Sequence, residues 1–195
     1  MKKLLSLYVA LALSLVLGIA VYAADIHTIH TDLMDAIWAK NIQKVKELIS
    51  RGANVNTDMN VASASGITPL MATAATPDGP IEIARLLLES GAKVNVADWF
   101  GWTPLMYASY NGRTHLAKLL ISKGADVNAK SNVGWTPLMY AAYKGRADIG
   151  KLLIEKGADV TAKTRGGETA LAIAESRGER DFAKLLRQNS RKLTD

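Results

Sequence analysis

The chain has 195 residues, 49% apolar and 22% charged, with a formal net charge of +6 and no cysteine. This length suits one domain with a core of its own, and the composition excludes a disordered chain. The absence of cysteine excludes disulfide scaffolds, thiol catalysis, cysteine zinc sites and iron–sulfur clusters.

The start of the chain has the order of a secretory signal peptide. Two lysines are followed by an uncharged run of 21 residues, Leu4 to Ala24, with small residues near its end. Cleavage after Ala23 leaves compact residues at the two positions that require them. We therefore predict residues 1–23 as signal peptide and residues 24–30 as a short lead, with the remainder exported to a bacterial periplasm.

The alternative is that this first segment is retained as a membrane anchor, since 21 uncharged residues could span a bilayer. In that case the protein would be a membrane-anchored effector, whereas cleavage leaves no stable insertion. Removing the signal lowers the net charge to +4 and leaves it uneven. Residues 97–195 carry 16 basic and 10 acidic side chains, whereas residues 25–96 carry 6 basic and 8 acidic ones.

Several short motifs recur along the rest of the chain with a period close to 33 residues. Threonine followed by proline and leucine occurs at Thr68, Thr103 and Thr136, with Thr169-Ala170-Leu171 as a last variant. A Gly-Ala pair begins at Gly52, Gly91, Gly124 and Gly157, and Val-Asn follows it, or Val-Thr in the last case. Independent motifs that share one period predict a repeat architecture.

These motifs resemble the ankyrin repeat, and the resemblance covers nearly all of the chain after the signal. It implies an all-α repeat solenoid, a stack of about five helix–turn–helix units with short β-hairpin-like loops. The ankyrin repeat domain is predicted at 31–195, with units at 31–56, 57–96, 97–129, 130–162 and 163–195. The first and last units depart from the pattern as capping units do, because nothing stacks on their outer sides.

Individual residues have physical roles in this pattern. Threonine suits an N-cap and proline the first helical turn, and glycine suits a left-handed helix end. Methionine stands where many ankyrin repeats carry a histidine that braces the loops: Met71, Met106 and Met139.

Two insertions, at Thr57–Gly66 and Thr76–Pro80, are predicted to be neutral loop variation.

Members of the ankyrin family usually bind protein through the loop tips and the inner helix of each repeat. The matching positions predict partner-binding residues at Trp38, Trp99, Phe100, Trp102, Tyr110, Asn111, Val133, Trp135, Tyr143, Lys144 and Arg165, and Asn132 also matches. Eight of the ten aromatic residues after the signal lie between Trp99 and Tyr143, which indicates one patch. The alternative is mutual packing, with Trp102 and Trp135 stacked on each other.

The chain is therefore predicted to be a non-enzymatic, monomeric module that binds a partner protein on a concave aromatic face. No HExxH, phosphate-loop, GxSxG or dinucleotide motif is present, so no catalytic residue, cofactor or metal is predicted. Basic residues around the cluster favour an acidic partner surface: Arg113, Lys130, Lys144 and Arg165. Export argues against nucleic acid, and the competing hypothesis is an envelope carrier of a small ligand or metal.

Overall fold

The computed structural model describes residues 28–29, 31–57 and 66–191. The predicted signal peptide and most of the predicted lead lie outside the described residues. The described part of the chain contains ten helices: α1 (31–38), α2 (Ile42–Ser50), α3 (Pro69–Ala75), α4 (Ile81–Glu89), α5 (Pro104–Asn111), α6 (Thr114–Ser122), α7 (Pro137–Tyr143), α8 (Ala147–Glu155), α9 (Ala170–Ser176) and α10 (Arg180–Arg191). Its β structure is an isolated antiparallel bridge between Lys163 and Thr169.

The helices form two rows of contacting neighbours. Helices α3, α5, α7 and α9 contact one another in sequence and are called the inner row, while α2, α4, α6, α8 and α10 form the outer row. Helix α1 joins the core with α2, α3 and α4 through buried residues that include Leu33, Met34 and Ile37. This arrangement confirms the predicted all-α repeat solenoid.

A threonine caps each helix of the inner row. The Oγ1 of Thr103 accepts a hydrogen bond from the amide of Met106 at 3.4 Å, and the amide of Thr103 donates to the sulfur of Met106 at 3.5 Å. Thr68 and Thr136 make the same two contacts with methionine, and Thr169 caps α9 through its Oγ1. The methionine therefore supplies a weak acceptor to the cap at the position where the family often has histidine.

A row of asparagines joins each repeat to the next. The side-chain amide of Asn95 donates to the carbonyl of Gly124 at 2.9 Å and accepts from the amide of Asp126 at 2.9 Å. The same pair of bonds recurs at Asn56 and Asn128. Thr161 ends the row and bonds within its own turn, to Asp159. The recurring Val-Asn motif is thus an inter-repeat clamp, and its last copy differs where the following unit, 163–195, has no Gly-Ala pair to bond to.

The last two helices of the outer row approach each other closely. A Cβ at Gly150 of α8 would lie 2.6 Å from the ring of Phe182 on α10. The position of Gly150 is taken by Ala117 in α6, and that of Phe182 by Ile149 in α8. The larger ring in the last repeat therefore needs the smaller residue opposite it.

Arg113 holds the insertion at Thr76–Pro80 against the stack. Its guanidinium donates to the carbonyls of Thr73 and Gly79, and to that of Thr76 at 3.0 Å. Burial of the side chain lowers the pKa of the Arg113 guanidinium. The donors of Arg113 are therefore engaged in the fold, while the role of its charge toward an acidic partner stays a prediction.

Candidate interaction surface

Three similar loops connect the repeats at residues 98–102, 131–135 and 164–168. In each loop the amide of the first residue donates to the carbonyl of the fifth, at 3.0, 2.9 and 2.9 Å, and a glycine amide at the fourth position donates to the first carbonyl. These bonds close each loop as a narrow hairpin-like turn. The loops therefore have the β-hairpin-like form that the resemblance implied.

The first residue of each loop is polar and buried, and it fixes the loop from inside. The carboxylate of Asp98 accepts hydrogen bonds from the amides of Phe100 and Trp102, both at 2.8 Å. The hydroxyls of Ser131 and Thr164 accept amide hydrogen bonds in the same way. Sequence reasoning missed these residues, although their 33-residue spacing was a usable signal.

Neighbouring loops are hydrogen-bonded to one another. The amide of Asn132 donates to the carbonyl of Phe100 at 3.0 Å, and its side-chain nitrogen donates to the carbonyl of Trp99 at 2.7 Å. The amide of Arg165 donates to the carbonyl of Val133 at 3.1 Å. The loops therefore support one another in a defined arrangement.

The apolar residues at the ends of these loops are exposed. Trp99 and Phe100 are each 62% exposed, and Val133 is 56% exposed; these three residues are called the loop tips. Burial of large apolar side chains is favourable, so tips left in water are available to a second surface. Trp38, at the end of α1, is a separate exposed aromatic residue at 51%.

Six other aromatic residues pack together and are called the ring cluster: Trp102, Tyr107, Tyr110, Trp135, Tyr140 and Tyr143. Tyr140 is 5% exposed, and its ring centroid lies 4.0 Å from that of Trp102 and 5.0 Å from that of Trp135. The two tryptophans thus share a tyrosine partner. Trp102 also contacts Tyr107 at 5.0 Å and Tyr110 at 5.7 Å, so it is bound into the fold on several sides.

One phenol of the ring cluster is tied to the buried carboxylate at the loop base. The hydroxyl of Tyr107 donates to Asp98 at 2.7 Å. Burial, followed by this hydrogen bond and the negative charge of Asp98, raises the pKa of Tyr107 well above its ordinary value. Burial also raises the pKa of Tyr140. Asp98 thus has three donors, and it links the loop to the ring cluster.

Two cations lie over tyrosine rings at the other end of the inner helices. The Nζ of Lys144 is 4.6 Å from the ring centroid of Tyr110, and the Cζ of Arg177 is 4.3 Å from that of Tyr143. Arg177 occupies the position of Lys144 one repeat later, and sequence reasoning missed it despite that 33-residue spacing. Each cation therefore reaches back to a tyrosine of the preceding repeat.

Two further predicted residues, Asn111 and Arg165, differ in whether their side chains are engaged in the fold. The side-chain amide of Asn111 donates to the carbonyls of Tyr107 and Ala74, so its nitrogen is already engaged in the fold. Arg165 has an exposed side chain on the last loop. The structure brings the loop tips, the ring cluster, Lys144 and Arg165 onto connected elements, while their binding role remains a prediction.

Two cavities in the described part of the chain bear on the alternative of a small-ligand carrier. One of about 780 Å³ lies beside α6 and α8 and is bordered by His115, Lys118 and Lys151, with no tryptophan in its lining. Another of about 310 Å³ borders Trp99 together with Gly66 and other loop residues. A carrier of a small ligand built on the clustered tryptophans would need a cavity enclosed by their rings. Neither of these two cavities is enclosed in that way.

Two further searches cover the described residues alone. No group of three or more histidine, aspartate or glutamate residues within 28–29, 31–57 and 66–191 is arranged to hold a metal ion. In the same part of the chain, every helix is too short or too polar to cross a membrane.

Comparison with known proteins identifies the family. A family model for ankyrin repeats, in three copies, matches residues 33–131 and again residues 130–195. Among curated proteins, none is significantly similar to the chain. The two matches span most of the sequence and coincide with the stacked helix pairs and their threonine caps. The chain therefore belongs to the ankyrin repeat family.

Proposed function

We propose that this protein is an exported, non-enzymatic interaction module that binds a partner protein through its loop tips and the ring cluster beside them. Ankyrin repeats generally serve protein–protein interaction. The observation that carries the proposal is the exposure of Trp99, Phe100 and Val133 on neighbouring, hydrogen-bonded loops. Export is supported by the order of basic, apolar and small residues in 1–23.

The structure of the loops favours tight binding by a small surface. Hydrogen bonds between the loops and to Asp98 hold the tips in place, so binding would order few groups. Aromatic anchors of this kind often contribute about 2 kcal/mol or more each when a partner buries them. A pre-ordered pair such as Trp99 and Phe100 can therefore account for much of the affinity.

A cross-linking pull-down from an envelope fraction tests the proposal. The wild-type protein is compared with Trp99→Ala/Phe100→Ala and with the control Lys118→Ala/Lys151→Ala, which changes exposed residues on the outer row. We expect the double aromatic variant to lose at least about tenfold in recovery of the partner, because two anchors are removed. The control is expected to retain it.

Equal recovery by the wild type and the aromatic variant would overturn the assignment of the loop tips. Equal loss in both variants would mean that binding depends on general stability or charge rather than on this surface. Thermal melting of each variant, followed by circular dichroism, separates a folding defect from a binding defect.

A further inference from the structure

We propose that the bound partner segment is both acidic and apolar, with two carboxylates on Lys144 and Arg177 and an apolar side chain at the loop tips. The inference rests on the proposed function, because it names the chemistry of the partner at the same surface. The observations behind it are a ladder of tyrosines and cations, the lack of acidic partners for those cations, and the spacing of the groups.

The ladder consists of two equivalent pairs, each with one cation over one tyrosine ring. Lys144 lies over Tyr110 and Arg177 over Tyr143, at 4.6 and 4.3 Å from the ring centroids. The two tyrosine rings are stacked with an interplanar angle of 16° and centroids 6.3 Å apart. The repeat period thus places two cations over neighbouring rings of one stack, where a ligand with two carboxylates could pair with both.

Neither cation of the ladder has an acidic partner in the described part of the chain. The three ion pairs found there do not involve either cation. Glu175, two residues from Arg177, is paired with Arg187 at 2.5 Å. The carboxylate of Glu179 lies beside Gly145 and reaches neither cation within ion-pair distance. Both positive charges therefore remain available to a carboxylate from outside.

Contact with the rings prepares both cations for binding. A cation over a tyrosine face is attracted to the ring, which restricts the rotamers of a long side chain before a ligand arrives. A carboxylate that pairs with Lys144 or Arg177 therefore costs less side-chain entropy than an ordinary exposed pair does. A guanidinium can stack by its face and still donate through its edge, so Arg177 can contact the ring and a carboxylate together.

The spacing of the groups defines the segment further. Side chains on one face of an extended strand recur about every 7 Å, and those four residues apart on a helix lie about 6 Å apart. Both match the 6.3 Å between the tyrosine rings. Helix α7, with 7 residues, is about 10 Å long and lies between the loop that carries Val133 and Lys144. We therefore expect paired acidic residues with an apolar residue at least about 10 Å away.

Selection from a random peptide library tests this chemistry without knowledge of the natural partner. The purified wild-type protein and Lys144→Glu/Arg177→Glu are used as separate baits. Wild type is expected to enrich peptides with two aspartates or glutamates two or four positions apart and an aromatic or aliphatic residue beyond them. The most enriched peptide, once synthesised, is expected to bind the charge-reversed variant at least about tenfold more weakly.

The matched control is Lys118→Glu/Lys151→Glu, which makes the same change in net charge on the outer row. It is expected to keep the affinity of the wild type, whereas equal weakening by both variants would show non-specific attraction and overturn the inference. The inference is also wrong if the enriched peptides carry no acidic excess or if none is enriched.

The variant Trp99→Ala/Phe100→Ala distinguishes the inference from the proposed function. Peptides that lack acidic residues but require Trp99 and Phe100 would overturn the acidic partner and leave the binding surface intact. Acidic peptides that bind this variant as tightly as wild type would overturn the role of the loop tips in the inference and in the proposed function alike.

Discussion

The loop tips and the ring cluster arise from the same stretch of sequence and differ in what they contact. Trp99 and Trp102 are three residues apart, yet Trp99 is 62% exposed while Trp102 packs against three tyrosines. The difference follows from the turn between them, where the carboxylate of Asp98 accepts hydrogen bonds from the amides of Phe100 and Trp102. Residues inside the turn point away from the stack, and the residue after it returns to the inner helix.

One short turn thus leaves one tryptophan ring in water and packs another into the stack. A side chain that is packed in the free protein stabilises the fold, whereas one that is exposed contributes mainly when a partner covers it. The two tryptophans of the first loop should therefore respond oppositely to truncation. Mutual packing describes the ring cluster, where Trp102 and Trp135 both contact Tyr140, whereas binding at the loop tips stays a prediction.

The largest effect on stability is expected from Trp102→Ala. Its ring contacts Tyr107, Tyr110 and Tyr140, so truncation removes aromatic contacts and leaves a gap between two repeats. We expect the free energy of unfolding to fall by about 3 kcal/mol. Urea denaturation followed by circular dichroism measures this loss.

Trp99→Ala is the control for that substitution because it removes the same side chain from an exposed position. We expect a change in the free energy of unfolding within about 1 kcal/mol. A loss equal to that of Trp102→Ala would contradict the division between tips and cluster, and would favour mutual packing of all the tryptophans.

The support between loops is tested next, by Gly134→Ala. Gly134 has a φ of +81°, and a Cβ there would lie 2.8 Å from the amide nitrogen of Arg165. Left-handed backbone costs about 1 kcal/mol for alanine, and displacement of the last loop adds to it. We expect a loss of about 2 kcal/mol in the free energy of unfolding, measured by urea denaturation.

Gly167→Ala provides the matched control for the loop contact. Its φ is +83°, but no atom lies within 4 Å of the added Cβ, since Gly167 belongs to the last loop of the stack. It should cost only the backbone strain, about 1 kcal/mol. Equal losses in the two variants would show that contact between the loops contributes nothing measurable to stability.

The repeat period allowed much of the fold to be predicted from sequence, because each motif has a local physical role. Thr103 and Pro104 mark a helix start wherever they occur, and the Gly-Ala pair at Gly124 marks a helix end with φ of +87°. Such signals depend on residues close in the chain, so the two rows of helices follow from them. The resemblance to a known family then supplied their stacking.

The site was harder to predict, because exposure depends on contacts between repeats. Composition does not distinguish Trp99 from Trp102, since only the hydrogen bonds of the turn decide which ring is packed. The sequence predicts Arg113 as a cation near the aromatic residues and does not indicate that its guanidinium donates to a carbonyl of the insertion. Arg177 was missed because its contact is with Tyr143, which lies in the preceding repeat, 34 residues earlier in the chain.

The smallest expected effect concerns the link between the loop base and the ring cluster, and it depends on pH. The pKa of Tyr107 is raised in the folded state, so the unfolded chain releases this proton first as pH rises. The stabilisation is therefore fully present below about pH 10 and is lost above it. Tyr107→Phe should lower the free energy of unfolding by about 1 kcal/mol at neutral pH. In this variant the free energy of unfolding should also fall less steeply as pH rises into the alkaline range.

Urea denaturation at a series of pH values measures this decline, and Asp98→Asn separates the part due to Asp98 from the part due to burial of the phenol. Asparagine keeps an acceptor for the amides of Phe100 and Trp102, but its NH₂ cannot accept from the phenol, and the negative charge is removed. The decline in this variant should lie between those of wild type and Tyr107→Phe, because burial of the phenol remains. If all three proteins lose stability in parallel above about pH 10, the tie between Tyr107 and Asp98 does not couple the loops to the ring cluster. The loop tips would then owe their position to the bonds within each turn and between neighbouring loops.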